Sequence, residues 1–424
     1  MIQNKFVAID LGSTHISVMA GEVLENGFLR ILGLESKPAD DIKYGIVEQS
    51  SGAAFKLNEL IRMLENSARL KDIDYISVSV GAKSMKNIQV SVSHFIGASK
   101  IVSEKLINDM NEEAENKIKG ENVAIYDVFP LWYDIDGQKF DDPVGKQGTQ
   151  IIGKYNIVYG NKLIAEKLEG CLERTGKIIE HRCLAVEALA TAVLDNHEKE
   201  EGCILINLGG LTSTLSIFEQ GTLQQMVVIP LGSQTITKDI QEFGISEKNA
   251  ERLKCAVGKA LETQITDEIM IAVPSIDPDE PQIKVSSKIL AMAIEARLDE
   301  ILNPIFDAIE AYTGNLSHGI VLTGGGSQLN GINEYITERT GFKVRYGTYT
   351  DWLAEKTDPK YDQPIFAQLV GTILLNQEYR QHHPLIDTEK IKQKKKSVKL
   401  PGSGLKTKTT ELFKNFFEDD NKLQ

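Results

Sequence analysis

The chain has 424 residues, 42% hydrophobic and 25% charged, more than one hydrophobic core usually holds. Two or more globular domains are therefore expected, and a disordered chain is excluded. Its 47 Lys and Arg against 60 Asp and Glu leave a formal charge of -13, which repels nucleic acid in general. Cys171, Cys183, Cys203 and Cys255 lie far apart without Cys-x-x-Cys spacing and read as buried reduced thiols. Met1 to Asp10 lacks a signal-peptide pattern and no stretch has the apolar length of a membrane span, so a protein made and kept in the cytoplasm is expected.

Val7-Ala8-Ile9 is a short apolar run ending at Asp10-Leu11-Gly12-Ser13-Thr14, after which Ile16, Val18 and Ala20 alternate, the pattern of a β-hairpin with a small-residue turn. Leu57 to Leu70 has the apolar spacing of an amphipathic helix, and Ile76 to Val80 reads as a buried strand. From Gly81 to Gly160 the texture changes to alternating strands (Ile88 to Val92), a helix opening at Ser103 and the aromatic-rich run Val123 to Ile135, which together read as an inserted subdomain. Ile204-Leu205-Ile206 then ends at Asn207-Leu208-Gly209-Gly210-Leu211-Thr212, with Leu215 and Ile217 alternating beyond it. The same device occurs twice, at a separation that suggests two related half-molecules and is too long for a solenoid.

Ser246 is placed to cap a helix from Glu247 through Leu261, and a second helix begins near Ser287 and runs to about Tyr312. Between them Pro274, Pro278 and Pro281 demand an irregular loop. Ile320-Val321-Leu322 is a further buried strand, broken at Thr323-Gly324-Gly325-Gly326, and Gln363 to Asn376 reads as a closing helix. Beyond Pro384, six lysines between Lys390 and Lys399 and then Pro401-Gly402-Ser403-Gly404 make a flexible basic linker. Leu405, Leu412, Phe413, Phe416 and Phe417 fall within one arc of about 140° at helical pitch, predicting a detached amphipathic helix that ends near Glu418. Each of these apolar side chains, fully buried at a lipid boundary, offers roughly 1.5–3 kcal/mol, and each linker lysine adds about 1 kcal/mol near anionic lipid. The alternative occupant for this helix is a protein groove.

A strand ending in Asp-Leu-Gly-Ser-Thr presents backbone N–H groups and hydroxyls at a turn where phosphate oxygens approach without meeting a Cβ. Gly12, Ser13 and Thr14 would do this in the first copy, and Gly209, Gly210 and Thr212 with Asn207 in the second. Asp10 suits Mg²⁺, held through water. For either turn alone, a plain hairpin is the competing reading. Gly324, Gly325, Gly326 and Ser327 follow a buried strand, and consecutive glycines let the backbone lie flat against a nucleoside. Glu251 and Lys254, three apart on one helix, are candidates for ribose hydroxyls, or else a solvated surface pair.

The order of these motifs resembles the actin, sugar kinase and heat-shock chaperone ATPase superfamily. Within it, Phe129-Pro130, Asp136-Gly137-Gln138, Asp142-Pro143-Val144-Gly145 and Gly148 look like the distinctive subdomain of the bacterial cell-division actins of the FtsA family. Tyr155 to Gly160, Val186-Glu187-Ala188-Leu189-Ala190, and Ile229-Pro230-Leu231-Gly232 with Thr235 and Asp239 are similar to further family segments. The resemblance covers residues 5 to 380. It implies a two-lobed actin-like ATPase fold of α/β class with a nucleotide cleft, an inserted subdomain and a C-terminal amphipathic helix. The divisions expected are 1–82 with 161–200, the insertion 83–160, 201–232 with 320–383, the small subdomain 233–319, the linker 384–404 and the helix 405–418.

By the same resemblance the protein would bind ATP and Mg²⁺, form filaments with itself, and hold the C-terminal tail of the tubulin-like protein FtsZ on subdomain 233–319. It would sit peripherally on the cytoplasmic side of the anionic inner membrane at the division site and recruit later division proteins. Two departures from the family pattern weaken hydrolysis: Asn207 and Thr214 stand where carboxylates are usual, and Leu211 replaces a glycine. At most a weak ATPase is implied, with Glu187 either positioning water or making a structural hydrogen bond. The rival readings are a small-molecule kinase of the same superfamily, which needs a substrate-activating carboxylate, and a pilus-assembly adaptor without the terminal anchor.

Overall fold

The first apolar run forms the strand Lys5–Leu11, turns at residues 12–14 and returns as His15–Val23 in the computed structural model, which describes residues 4–276, 279 and 281–383. The basic linker 384–404 and the helix 405–418, with Leu405, Leu412, Phe413, Phe416 and Phe417, lie outside the described residues. The strand Lys5–Leu11 is the centre of a five-stranded sheet. On one side stand His15–Val23 and Leu29–Pro38, antiparallel; on the other stand Tyr75–Val80 and Ile178–Leu184, parallel.

A second five-stranded sheet repeats this plan. Its centre is Cys203–Leu208, flanked by the antiparallel Ser213–Glu219 and Thr222–Ile229 and by the parallel Ile320–Thr323 and Val344–Tyr346. The duplicated hairpin is thus one part of a duplicated sheet. Both central strands are apolar on both faces, as a covered sheet requires. Between the two, Lys86–Ile101, Gln147–Asn161, Val123–Ile135 and Gln138–Phe140 make a separate four-stranded sheet. Its helix Glu104–Asn116 starts where Ser103 accepts the Leu106 N–H, a cap worth about 1 kcal/mol.

Helix ends differ from the sequence reading for local reasons. The helix read as Leu57 to Leu70 spans Ser50–Ser67. The helix from Ser246 stops at Val257, where the Gly258 N–H closes onto Lys254 O. The helix from Ser287 ends at Glu310. The closing helix is Ala367–His382, because Pro364 holds the preceding turn in a short 3₁₀ segment. Around the Pro-rich loop, Met270–Val273 and Ile283–Ser286 pair as a two-stranded ribbon that the prolines hid; residues 277, 278 and 280 lie outside the described residues.

The helix Ala185–Val193 and the closing helix cross in direct backbone contact, since a Cβ on Gly371 would overlap Ala188 O. Residues of both helices share one core with Phe6 and Met19 of the first sheet and Leu205 and Phe218 of the second. All of this belongs to one compact unit, Met1–Gln381. The crossing therefore holds the two sheets at a fixed spacing, with a cleft left open between their turns.

Candidate functional site

The cleft is a cavity of about 880 Å³. Its floor is built from equivalent strand ends. Asp10 lies opposite Ser17 and Ser79 in the first sheet, and Asn207 lies opposite Thr214 and Thr323 in the second. The turns match as well: a Cβ on Gly12 would come 2.7 Å from His15 O, and one on Gly209 would come 2.7 Å from Thr212 O. Glycine is required at both by the same closure of the chain.

The first turn is held by the Gly45 N–H, which donates to Ser13 Oγ at 3.0 Å. The second is backed by the helix Ser233–Gln241, whose Ser233 and Gln234 N–H groups donate to Gly209 O and Gly210 O at 2.9 and 2.8 Å. Gly12, Ser13 and Thr14 line the cavity from one side and Gly209, Gly210 and Thr212 from the other. At their nearest approach Gly210 packs on the Thr14 side chain.

Gly324, with φ 87°, turns the chain out of the strand Ile320–Thr323, and Gly325 and Gly326 continue along the cavity wall. Ser327 does not line the cavity; it is buried, and its hydroxyl donates to Gly324 O at 2.7 Å, so its part is to fix the turn, while Gln328 faces the cleft. Glu251 and Lys254 both line the cavity. Lys254 Nζ donates to Glu251 Oε2 at 2.8 Å, Thr237 Oγ1 at 2.8 Å and Ser233 O at 3.1 Å, which uses its three protons. Burial pushes the Glu251 carboxyl up, but hydrogen bonds from Lys254 and Thr237 outweigh it and leave the group below its ordinary value. Glu251 stays charged with Lys254 as its support.

Cys171, Cys183 and Cys203 are buried thiols, but Cys255 is exposed in the cleft, one turn after Glu251, correcting the sequence expectation for that residue. Glu187 is absent from the cavity wall; its Oε2 accepts the Leu184 N–H at 3.3 Å at the start of the helix Ala185–Val193.

Sequence reasoning missed Ser79 and Gln368. Gln368 Nε2 donates to Asp10 Oδ1 and to Ser79 Oγ, each at 2.9 Å. Ser79 was findable from the strand Ile76 to Val80 once that strand is paired with the first; nothing near Gln368 in sequence marks it. Burial raises the Asp10 carboxyl to about 7. The cavity wall holds a single carboxylate at the two turns, surrounded by hydroxyl and amide oxygens, and among the described residues no three metal-ligating side chains converge. Such a donor set fits Mg²⁺ that arrives with phosphates and keeps most of its waters. The closed turns and the flat glycine wall fit a polyphosphate and a planar base.

Duplicated sheets around a cleft of this kind define the actin-like ATPase fold. A solved chain of a PilM-PilN type IV pilus biogenesis complex superposes with a TM-score of 0.63 at 16% identity, over 88% of this chain and 98% of that one. MreB5 of Spiroplasma citri bound to ADP gives a TM-score of 0.55 at 12% identity, over 90% of this chain and 99% of that one. The family described as Cell division protein FtsA matches residues 204–371. The Cell division protein FtsA of Borreliella burgdorferi is 27% identical over 420 residues, 96% of this chain and 99% of the relative. That of Bacillus subtilis is 28% identical over 335 residues, 77% and 74% respectively. This chain is similar over most of its length to these cell-division proteins of the FtsA family, and its fold is that of an actin-like ATPase.

Proposed function

We propose that this protein binds ATP with Mg²⁺ between its two turns and assembles with itself as a membrane-tethered scaffold that carries FtsZ and recruits later division proteins. The observation that carries the reading is the contact of Gly210 with Thr14, which brings turns from two different sheets to one cavity. Backbone N–H groups of both turns would hold the phosphates, with the hydroxyls of Ser13, Thr14 and Thr212 beside them. Asp10 would hold Mg²⁺ through water, Gly324 to Gly326 would face the base, and Glu251, supported by Lys254, would take the ribose. Mg²⁺, when bound, neutralises phosphate charge. Asn207 supplies no charge, so any hydrolysis is slow and the nucleotide acts mainly on assembly.

The FtsZ tail would dock on the small subdomain 233–319. There Ile269, Met270, Ile289 and Met292 are all more than half exposed around the start of the helix Ser287–Glu310, beside Lys284 and Lys288. Flexible methionines and nearby ammonium groups suit a peptide with apolar and acidic residues. No helix among the described residues is long and apolar enough to cross a membrane. Residues 405–418 would lie in the surface of the inner membrane on its cytoplasmic side, many copies acting together along a filament. A kinase reading finds no substrate-activating carboxylate among the described residues: those of the cavity wall are Asp10, which would serve the metal, and Glu251, which Lys254 and Thr237 engage.

Calorimetry with ATP and Mg²⁺ tests the cleft. Gly325→Trp should abolish uptake, because a Cβ there already comes 3.1 Å from Ile365 Cγ2; wild-type affinity would remove the glycine wall from the site. Liposome pelleting of the full chain against one truncated at Gly404 tests the tether, and equal pelleting would exclude it.

A further inference from the structure

We infer that Gln368 is a positioning residue for the metal carboxylate, an uncharged bracket that holds one oxygen of Asp10 and turns the other toward the cleft. This rests on the nucleotide reading above. The amide nitrogen of a glutamine carries two protons, and here both are used: one on Asp10 Oδ1 and one on Ser79 Oγ. With Oδ1 so occupied, Oδ2 is the free oxygen. It lies on the side of the first turn, 3.6 Å from where a Cβ on Gly12 would be. Ser79 is 4% exposed and pairs with Asp10 across parallel strands, so the bracket is fixed to the sheet.

The helix carrying Gln368 is equally fixed. At its far end Arg380 donates to Lys5 O at 3.0 Å and to Glu180 Oε1 at 2.5 Å. The strand Lys5–Leu11 is therefore tied near both of its ends to one helix. A neutral donor matters at this place. Lysine or arginine would hold Asp10 as firmly but would put a cation where a divalent ion is wanted, whereas an amide orients the carboxylate and leaves its charge. Because Asn207 is neutral, Asp10 is the one carboxylate at the two turns among the described residues, and the metal depends on how that one group is aimed.

The test is calorimetric titration of the full chain with ATP, once in MgCl₂ and once in EDTA, for the unaltered protein, Gln368→Met and Ser79→Ala. Methionine keeps the length of the side chain and removes the donors. The ratio of the dissociation constant in EDTA to that in Mg²⁺ should fall about tenfold in Gln368→Met, the effect of one hydrogen bond to a charged group, and by a smaller factor in Ser79→Ala. The affinity in EDTA should stay within about twofold, which a merely structural role would not predict. An unchanged or larger ratio in a variant, or parallel losses in both arms, would overturn the inference while leaving nucleotide binding intact. No uptake by the unaltered chain in either arm would overturn the nucleotide reading, and this inference with it. Should Gln368→Met fail to fold, Ser79→Ala decides by the same ratio.

Discussion

Gly210 lies against Thr14, one residue from each of the two duplicated turns: a Cβ added to Gly210 would overlap the Thr14 methyl and sit 3.4 Å from Thr14 Oγ1. The spacing of the turns is therefore set by the absence of one carbon. Gly210→Ala should force them apart and weaken Mg²⁺-ATP binding by about tenfold or more, a cost of overpacking at a rigid contact. Thr14→Ser removes the methyl and keeps the hydroxyl, so alone it should change little, and combined with Gly210→Ala it should recover most of the loss. A coupling of about 1–3 kcal/mol in this double-mutant cycle, read from calorimetric affinities, is expected. Additive effects would mean that the turns do not meet in solution.

A second contact between the lobes lies at the base of the inserted sheet. Asn87 Nδ2 donates to Asn156 Oδ1 at 2.7 Å and to Gln224 O at 3.0 Å, and Asn87 Oδ1 accepts the Met226 N–H at 2.9 Å. Asn156, fully buried, donates in turn to Leu223 O at 2.6 Å. The two amides take the place of a neighbouring strand along Thr222–Ile229. Asn87→Leu would leave the Met226 N–H without its partner, at about 1–3 kcal/mol, and Gln224 O with only the Gln89 amide at 3.4 Å; Asn156→Ala should cost a similar amount. The double variant should lose less than the sum, because both belong to one network. Urea unfolding midpoints measure this; strictly additive losses would break the network into separate bonds.

The duplicated hairpins were legible in the sequence because a small-residue turn after an alternating strand is a local signal, and Asp10 to Thr14 and Asn207 to Thr212 are short enough to carry it. The triple glycine was legible for the same reason, although Ser327 next to it turned inward. What the sequence hid is non-local. Gln368 reaches Asp10 only through the crossing of two helices at Gly371, and Lys254 spends its protons on Thr237 and Ser233, which no spacing rule foretells. Cys255 was read as buried from its residue type, but it lies on the cleft face of its helix. The ribbon Met270–Val273 with Ile283–Ser286 was lost among prolines that bound it without interrupting either strand.

Glu187 and Asp127 lead to a pH effect. Burial raises both carboxyls, and for Glu187 the Asp127 charge adds to it, while the Leu184 and Val128 N–H groups pull each the other way. Nearby Cys183 stays a thiol, with burial first and the Glu187 charge second pushing it to about 12. A carboxyl whose folded value is raised holds its proton where the unfolded chain has released it, so stability falls as pH rises through that window. Glu187→Gln keeps an acceptor for the Leu184 N–H and cannot ionise. The variant should match the parent at about pH 4, below the unfolded value of Glu187, and exceed it at about pH 8, with a flatter profile between. Urea midpoints across that range decide; parallel profiles would mean that Glu187 is ionised at no cost.

Arg380 and Glu180 form a buried, two-pronged ion pair, with side chains 8% and 6% exposed. Asn376 also donates to Glu180 at 3.0 Å, and the guanidinium lies 4.0 Å from the Phe6 ring centre. The closing helix is held to the first sheet through this group. Arg380→Met leaves the Glu180 carboxylate buried against a thioether, which should cost about 3–5 kcal/mol, because desolvation of the remaining charge is no longer offset. Glu180→Leu combined with Arg380→Met removes both charges and should recover most of that loss, since an apolar pair of similar volume replaces a buried ion pair at little net cost. Guanidinium unfolding of the two variants measures the difference. A double variant as unstable as Arg380→Met alone would show that the hydrogen bonds to Lys5 O and Asn376, rather than the paired charges, fasten the helix.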